Sequence, residues 1–504
     1  MSAGLPNFLP NLVSRSWEPL QANLALKVLT VDRGLTSKTL IKKVKFMRMR
    51  NWVQTLTALV CCVFSVQAEA KQPNFVFIMA DDCTFRDIGC YGGQAHTPHI
   101  DRLATEGMRF TRCFQAAPMC SPTRHNIYTG QYPVKIGAYP NHTSANPGVK
   151  SIVHYLKPLG YRVALSGKKH IGPRSVFPFE NPKGADLVEA AGNFFSDCEQ
   201  GNDSFCIFFC SKEPHTPWDK GDPSRYEASK LKLPPYFVDT PETREAMTRY
   251  LAEITYFDGE VGGILGELDK HGLRDNTLVI VVSEQGSSMP FAKWTCYDSG
   301  LQSALIARWP GKIQPGSINH AMVEYVDLVP TYVTAAGGTP DPALDGKSLL
   351  PVFAGKQEHK KYVFGEMTTR GILNGSETFG IRSVRSDKFK YIWNFTPEIE
   401  FRNICMKSPE FESWERKAAA GDADAAEKVR RYKNRPAIEL YDITKDPTEW
   451  HNLAGKPEYA SVQATLKAEL DAWMKHCGDK GQQTELEADQ HTRGGGKKNK
   501  RKQK

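Results

Sequence analysis

The chain is short of several things that would have defined it. Its apolar run from Trp52 to Val66 is brief and interrupted by Gln54, Thr55 and Thr57, which argues against a membrane-spanning helix. There is no Cys-x-x-Cys pair to suggest structural zinc, and no internal repeat. A basic body is missing too. The formal charge of +9 sits at the ends: residues 1–70 hold nine Lys/Arg against three Asp/Glu, and residues 493–504 hold seven Lys/Arg and no acid. Residues 71–492 are therefore left at about −4, and no nucleic-acid partner is expected.

What remains is a globular chain of 504 residues, enough for one large domain and a smaller one. Residues 47–70 have the form of a secretory leader: Arg48 and Arg50, the apolar run, then small residues at Ala68 and Ala70. An exported protein is expected, in a periplasmic, extracellular or lysosome-like compartment, without stable membrane insertion. Residues 1–46 are an odd prelude to a leader and are taken as a non-native extension, the true start being Met47 or Met49. Of twelve cysteines, Cys61 and Cys62 leave with the leader, and no pairing of the rest follows from sequence.

Four apolar, β-favouring runs each release polar residues at their ends. Asn74–Met79 leads to Asp81-Asp82, Tyr161–Leu165 to Lys168 and His170, Phe205–Cys210 to Glu213 and His215, and Leu278–Val282 to Glu284-Gln285. Open α/β sheets build their sites at that edge. A helix opens at Thr97-Pro98, with Ile100, Leu103, Ala104 and Met108 on one face, and a long one is expected from Pro241 to His271. Past about residue 360 the pattern changes: hairpin strands at 380–385 and 389–393, an exposed charged helix over 415–433 and an amphipathic one over 458–473. The basic tail reads as a solvated, disordered segment.

The stretch Cys120-Ser121-Pro122-Thr123-Arg124 puts a sulfur beside a cation at a helix start, with Ser121 as N-cap and Pro122 in the first turn. Free backbone N–H groups there favour negative charge on residue 120. Taken singly, Cys120 also suits a buried structural thiol, Asp81-Asp82 a strand-end turn, and His215 a capped loop histidine.

Cys-x-Pro-x-Arg followed by Thr129-Gly130 resembles the signature of the type I sulfatases. Asp81-Asp82, Gly167-Lys168-Lys169-His170, Pro214-His215, Leu440-Tyr441-Asp442, Asp446-Pro447 and Asn452-Leu453 follow in that family's order. Within the family, residues 167–173 and 235–238 look most like heparan N-sulfatase (sulfamidase). The resemblance implies an alkaline-phosphatase-like α/β fold, a mostly parallel sheet flanked by helices, with a smaller C-terminal α+β domain. The division expected is a catalytic domain over 71–360, a small-sheet domain over 361–480 and a basic tail over 481–504.

It also implies that Cys120 is oxidised to formylglycine by a formylglycine-generating enzyme and hydrated to a geminal diol, one hydroxyl attacking sulfur and the other later expelling sulfate. Arg124 and Lys168 would hold that group, and His170 would take its proton. His215 and Lys293 would contact sulfate and protonate the leaving atom. Asp81, Asp82, Glu284 and Gln285, with an oxygen of residue 120, would bind one divalent cation, Ca²⁺ before Mg²⁺ because the ligands are all oxygen. The family usually has Asp-Asn or Asp-His where this chain has Glu284-Gln285. The substrate implied is a sulfated saccharide, N-sulfoglucosamine first and an O-sulfated sugar next. A phosphate or phosphonate monoester hydrolase and a non-catalytic glycan-binding relative are the alternatives. Oligomeric state is left open.

Overall fold

The computed structural model describes residues 71–491. The extension, the leader and the end of the basic tail expected from sequence lie outside them.

In chain order the first part runs β1 (Asn74–Met79), α1 (Pro98–Glu106), β2 (Met108–Phe114), α2 (Cys120–Thr129), β3 (Tyr161–Gly167), α3 (Leu187–Gly201), β4 (Ser204–Cys210), α4 (Pro241–Lys270) and β5 (Thr277–Val282). It continues through β6 (Gln302–Arg308), β7 (Ser317–Asn319), β8 (Val323–Glu324) and α5 (Leu328–Ala335). These strands form one sheet in the order β3-β4-β1-β5-β6-β2-β7, with β8 paired to β2. The four runs singled out in the sequence are mutually parallel neighbours, and β6 turns antiparallel against β5 and β2.

β1 shows why its residues make a central strand. All six are buried; Val76 and Ile78 pack with α1, α3 and α4 on one face, while Phe75, Phe77 and Met79 pack with α2 and α5 on the other. A strand covered on both faces needs a continuous apolar run rather than an alternating one. Gly167 closes β3 with φ of 86°, and a Cβ there would stand 2.1 Å from the Cys210 carbonyl oxygen, so no larger residue lets β3 and β4 finish side by side.

The second sheet is antiparallel, in the order β12-β11-β10-β9, from β9 (Val363–Thr368), β10 (Gly380–Arg385), β11 (Phe389–Asn394) and β12 (Ile438–Asp442). Between β11 and β12 lie α6 (Pro409–Ala419) and α7 (Ala423–Lys433); after β12 come α8 (Ala460–Cys477) and α9 (Gln482–Glu487). One face of this sheet, with Ile381, Ile392 and Tyr441, joins the core beneath α4, and the other, with Val384, Tyr391 and Leu440, packs on Leu466, Leu470 and Trp473 of α8.

Several expectations are corrected. The exposed helix over 415–433 is two helices broken at Gly421, and Phe411, Trp414 and Tyr432 bury one side of the pair against the core. Its density of charge hid an aromatic stripe. Met108 begins β2 rather than closing α1. Ser121 does not cap α2: Met119 holds the N-cap position, Cys120 is the first helical residue, and the Ser121 hydroxyl donates to the His170 carbonyl at 3.0 Å. The ordered chain also runs past 480, because Arg382 and Glu485 pair at 2.8 Å and hold α9.

Candidate active site

Backbone bonds continue the sheet beyond its strands and fix where each polar residue emerges. Ala80 N–H donates to the Val282 carbonyl, Asp81 N–H to Glu213, Cys83 N–H to Glu284, Lys168 N–H to Cys210 and Ser211 N–H to Met79, all at 2.9–3.1 Å. Asp81, Asp82, Lys168, His170, His215, Glu284 and Gln285 consequently share one edge, and α2 brings Cys120 to it by its first turn.

The Cys120 sulfur lies 3.5 Å from Asp81 Oδ1, 3.7 Å from Asp82 Oδ1 and 3.0 Å from Gln285 Nε2. Asp81, Asp82, Arg124 and Glu284 are fully buried. Three carboxylates here face three cations. Lys168 donates to Asp81 Oδ2, Lys293 to Asp82 Oδ2 at 2.6 Å, and Arg124 to Glu284 Oε2 at 2.8 Å, with Asp81 Oδ1 a further 3.6 Å contact. Burial alone would raise both aspartates. Lys168 and Arg124 outweigh it at Asp81, and Lys293 and His215 at Asp82, so both stay below the usual carboxylate range. Glu284 goes the other way: burial and the nearby Asp81 push it well up despite Arg124. Burial pushes the Cys120 thiol up to about 12 against the pull of Lys168 and Lys293.

This donor set fits a hard divalent cation. Glu284, grouped with Asp81 and Cys120, has a buried Oε1 with no hydrogen-bond partner; Gln285 turns its Nε2 to Asp82 Oδ1 at 2.5 Å and keeps a buried, unpartnered Oε1 that a turn of the amide would bring to the site. Asp82 and Gln285 also adopt positive φ, 63° and 23°, a cost usually met where side-chain aim matters.

His215 borders the cavity; its Nδ1 is 2.7 Å from the Thr216 carbonyl, its Nε2 3.6 Å from Asp82 Oδ2, and its side chain is 37% exposed. His170 is pushed down to about 2 by burial and Lys168. The cavity above Cys120 measures about 980 Å³ and is closed on one side by Ile404, Cys405, Lys407 and Glu410 from the C-terminal part.

Every residue proposed from sequence lies at this edge. Two contributors escaped notice. Ser288 donates to Asp82 Oδ2 at 2.6 Å, and His142 stands 2.8 Å from His170. Neither follows a strand nor sits in a patterned stretch, so nothing in the sequence marked them.

Solved structures share this architecture. An enzyme in complex with its substrate D-glucosamine-2-N,6-O-disulfate aligns at TM-score 0.62 and 21% identity, over 81% of this chain and 99% of its own. A phosphonate monoester hydrolase from Silicibacter pomeroyi aligns at 0.60 and 20%, over 81% and 96%. The fold they define is the alkaline-phosphatase-like α/β fold, a mostly parallel sheet flanked by helices with a separate antiparallel sheet. Sequence comparison narrows it. A family model described as Sulfatase matches residues 73–190 and 180–338, and one described as N-sulphoglucosamine sulphohydrolase, C-terminal, matches 286–408. An ulvan-active sulfatase of Formosa agariphila is 35% identical over 429 residues, covering 82% of either chain. The N-sulphoglucosamine sulphohydrolase of Homo sapiens is 26% identical over 476 residues, covering 83% of this chain and 94% of that one. The chain belongs to the sulfatase family, enzymes that hydrolyse sulfate esters or sulfamates.

Proposed function

We propose that this sulfatase acts on a sulfated glycan, with N-sulfoglucosamine-type substrates first and O-sulfated sugars second, and that residue 120 works as formylglycine. The observation that carries the reading is the position of Cys120: first residue of a helix, within 3.7 Å of two aspartates, under an open cavity. The match of residues 286–408 to the N-sulphoglucosamine sulphohydrolase C-terminal model supports the N-sulfo preference. The ulvan-active relative at 35% identity keeps O-sulfated sugars close behind.

Asp81, Asp82, Glu284 and Gln285 would hold a divalent cation, Ca²⁺ favoured, which when bound neutralises charge at residue 120 and the sulfuryl oxygens. Lys168 and Arg124 steady residue 120. Lys293 and His215 face the cavity side, where a sulfate and its leaving atom would lie. With Nδ1–H donating to Thr216, a protonated His215 presents Nε2–H as the acid for the leaving oxygen or nitrogen. His170, held neutral, is the base. Maturation requires a formylglycine-generating enzyme, and export through residues 47–70 would leave an N-terminus near residue 69 or 71.

Peptide mass spectrometry across Cys120 in protein from the native host, with turnover of nitrophenyl sulfate, nitrophenyl phosphate and a panel of N- and O-sulfated saccharides, tests this. Formylglycine mass and sulfate turnover abolished by chelator are expected. An unmodified thiol in active enzyme would overturn the nucleophile, and phosphate turnover exceeding sulfate turnover would favour the phosphate or phosphonate hydrolase. Absence of all turnover in modified, metal-loaded protein would favour a glycan-binding relative.

A further inference from the structure

His142 and His170 stand ring to ring on the wall of the Cys120 cavity, with His142 Nδ1 2.8 Å from His170 Nε2 and ring centroids 4.6 Å apart. Both residues adopt the left-handed conformation, at φ of 57° and 48°. Neither is glycine, and a β-carbon makes that conformation costly, so the surrounding structure holds two strained residues in the orientation that makes the rings meet.

A 2.8 Å contact between two ring nitrogens requires one donor and one acceptor, and the surroundings of His170 favour one assignment. His170 Nδ1 is shielded from solvent and has no hydrogen-bond partner. A proton on Nδ1 would be a buried donor with nothing to receive it, which folded proteins rarely tolerate; a bare lone pair is tolerated better. Placing the proton on Nε2 instead gives it an acceptor in His142 Nδ1. We propose that His142 is a positioning residue for the reaction: it accepts the Nε2–H of His170 and so keeps the Nδ1 lone pair of His170 free to act as base. When Nδ1 takes the proton of the residue-120 hydroxyl, as that oxygen reforms the aldehyde C=O and the C–O bond to the departing sulfate breaks, positive charge spreads over the His170 ring, and the Nε2–H bond to His142 strengthens as a charge-assisted one. This rests on the role given to His170 above, but the tautomer is a property of the protein whether or not it turns over sulfate.

Asparagine at 142 carries an acceptor oxygen on the same carbon to which histidine attaches Nδ1, and it tolerates the left-handed conformation. Phenylalanine keeps a ring and loses the acceptor. The test uses full-length protein with labelled histidine, ring ¹⁵N spectra assigned through a His170→Gln variant, and kcat and KM on nitrophenyl sulfate for wild type, His142→Phe and His142→Asn, all confirmed folded by their melting transitions. His170 protonated at Nε2 in wild type is expected. In His142→Phe that signal should be lost and kcat should fall about tenfold or more with KM little changed, the usual scale for removing a partner that orients a histidine. His142→Asn should restore both. Nδ1 protonation in wild type, or an unchanged tautomer and kcat in His142→Phe, overturns the proposal. If the tautomer behaves as stated while wild-type protein turns over no sulfate, the functional reading falls and the assignment of this hydrogen bond stands.

Discussion

At the scale of single residues the site balances charges that would be prohibitive alone. Arg124 and Glu284 are both buried, and removing one partner of such a pair costs about 3–5 kcal/mol because the other is left unpaired. Glu284→Ala would therefore confound folding with metal binding. Glu284→Gln keeps an acceptor for Arg124 and removes the carboxyl that a bound cation would ionise. Its expected outcome is about tenfold or more weaker Ca²⁺ affinity, measured by titrating chelated protein, with activity partly recovered in excess Ca²⁺. Unchanged affinity would remove Glu284 from the ligand set. Cys120→Ala removes one buried sulfur, so a melting temperature within a few degrees of wild type is expected together with essentially complete loss of turnover.

At the scale of elements, the segment following β4 carries His215 and rests on α4 through carboxylates. Ser211 Oγ donates to Glu260 at 2.5 Å, and the Asp219 and Lys220 amides donate to Glu253 at 2.5 and 3.0 Å. Burial pushes Glu253 up to about 8 against the Lys220 amide, with the neighbouring Glu213 adding to the rise, and burial lifts Glu260 to about 7. Unfolded glutamates ionise near pH 4.3, so between there and about pH 8 the folded protein keeps protons that the unfolded chain has released. Stability from these groups is complete below pH 4.3 and is lost as pH rises through the folded values. The melting temperature should decline from pH 5 to pH 8.5, and Glu253→Gln, which retains the acceptor for both amides, should flatten the decline. A slope identical to wild type would show that Glu253 is already ionised in the folded protein at pH 5.

At the scale of the whole molecule, the outer wall of the cavity comes from a segment nearly three hundred residues beyond Cys120. A cavity of about 980 Å³ is at the upper end for small-molecule sites and has room for more than one sugar. Lys407 is exposed on that wall. Lys407→Ala should raise KM for a sulfated oligosaccharide several-fold at low ionic strength and less at 0.5 M salt, because rim charges are screened. KM for nitrophenyl sulfate, too small to reach the rim, should not move.

The sequence by itself determined the parallel core and which polar residues meet at its edge. Buried strands require unbroken apolar runs, and polar residues directly after such runs can only emerge at one sheet edge, so Asp81, Asp82, Lys168, His170, His215 and Glu284 were all legible before any coordinates. Tertiary structure alone decided the rest. Phe411, Trp414 and Tyr432 were hidden because a helix pair with charges on one side and aromatics on the other has no sequence mark of which neighbour covers it. Ser288, His142 and the Ile404–Glu410 wall belong to irregular segments, whose paths are set by what they pack against and not by any local period. Their meeting over Cys120 is a product of long-range packing, which no window of sequence contains.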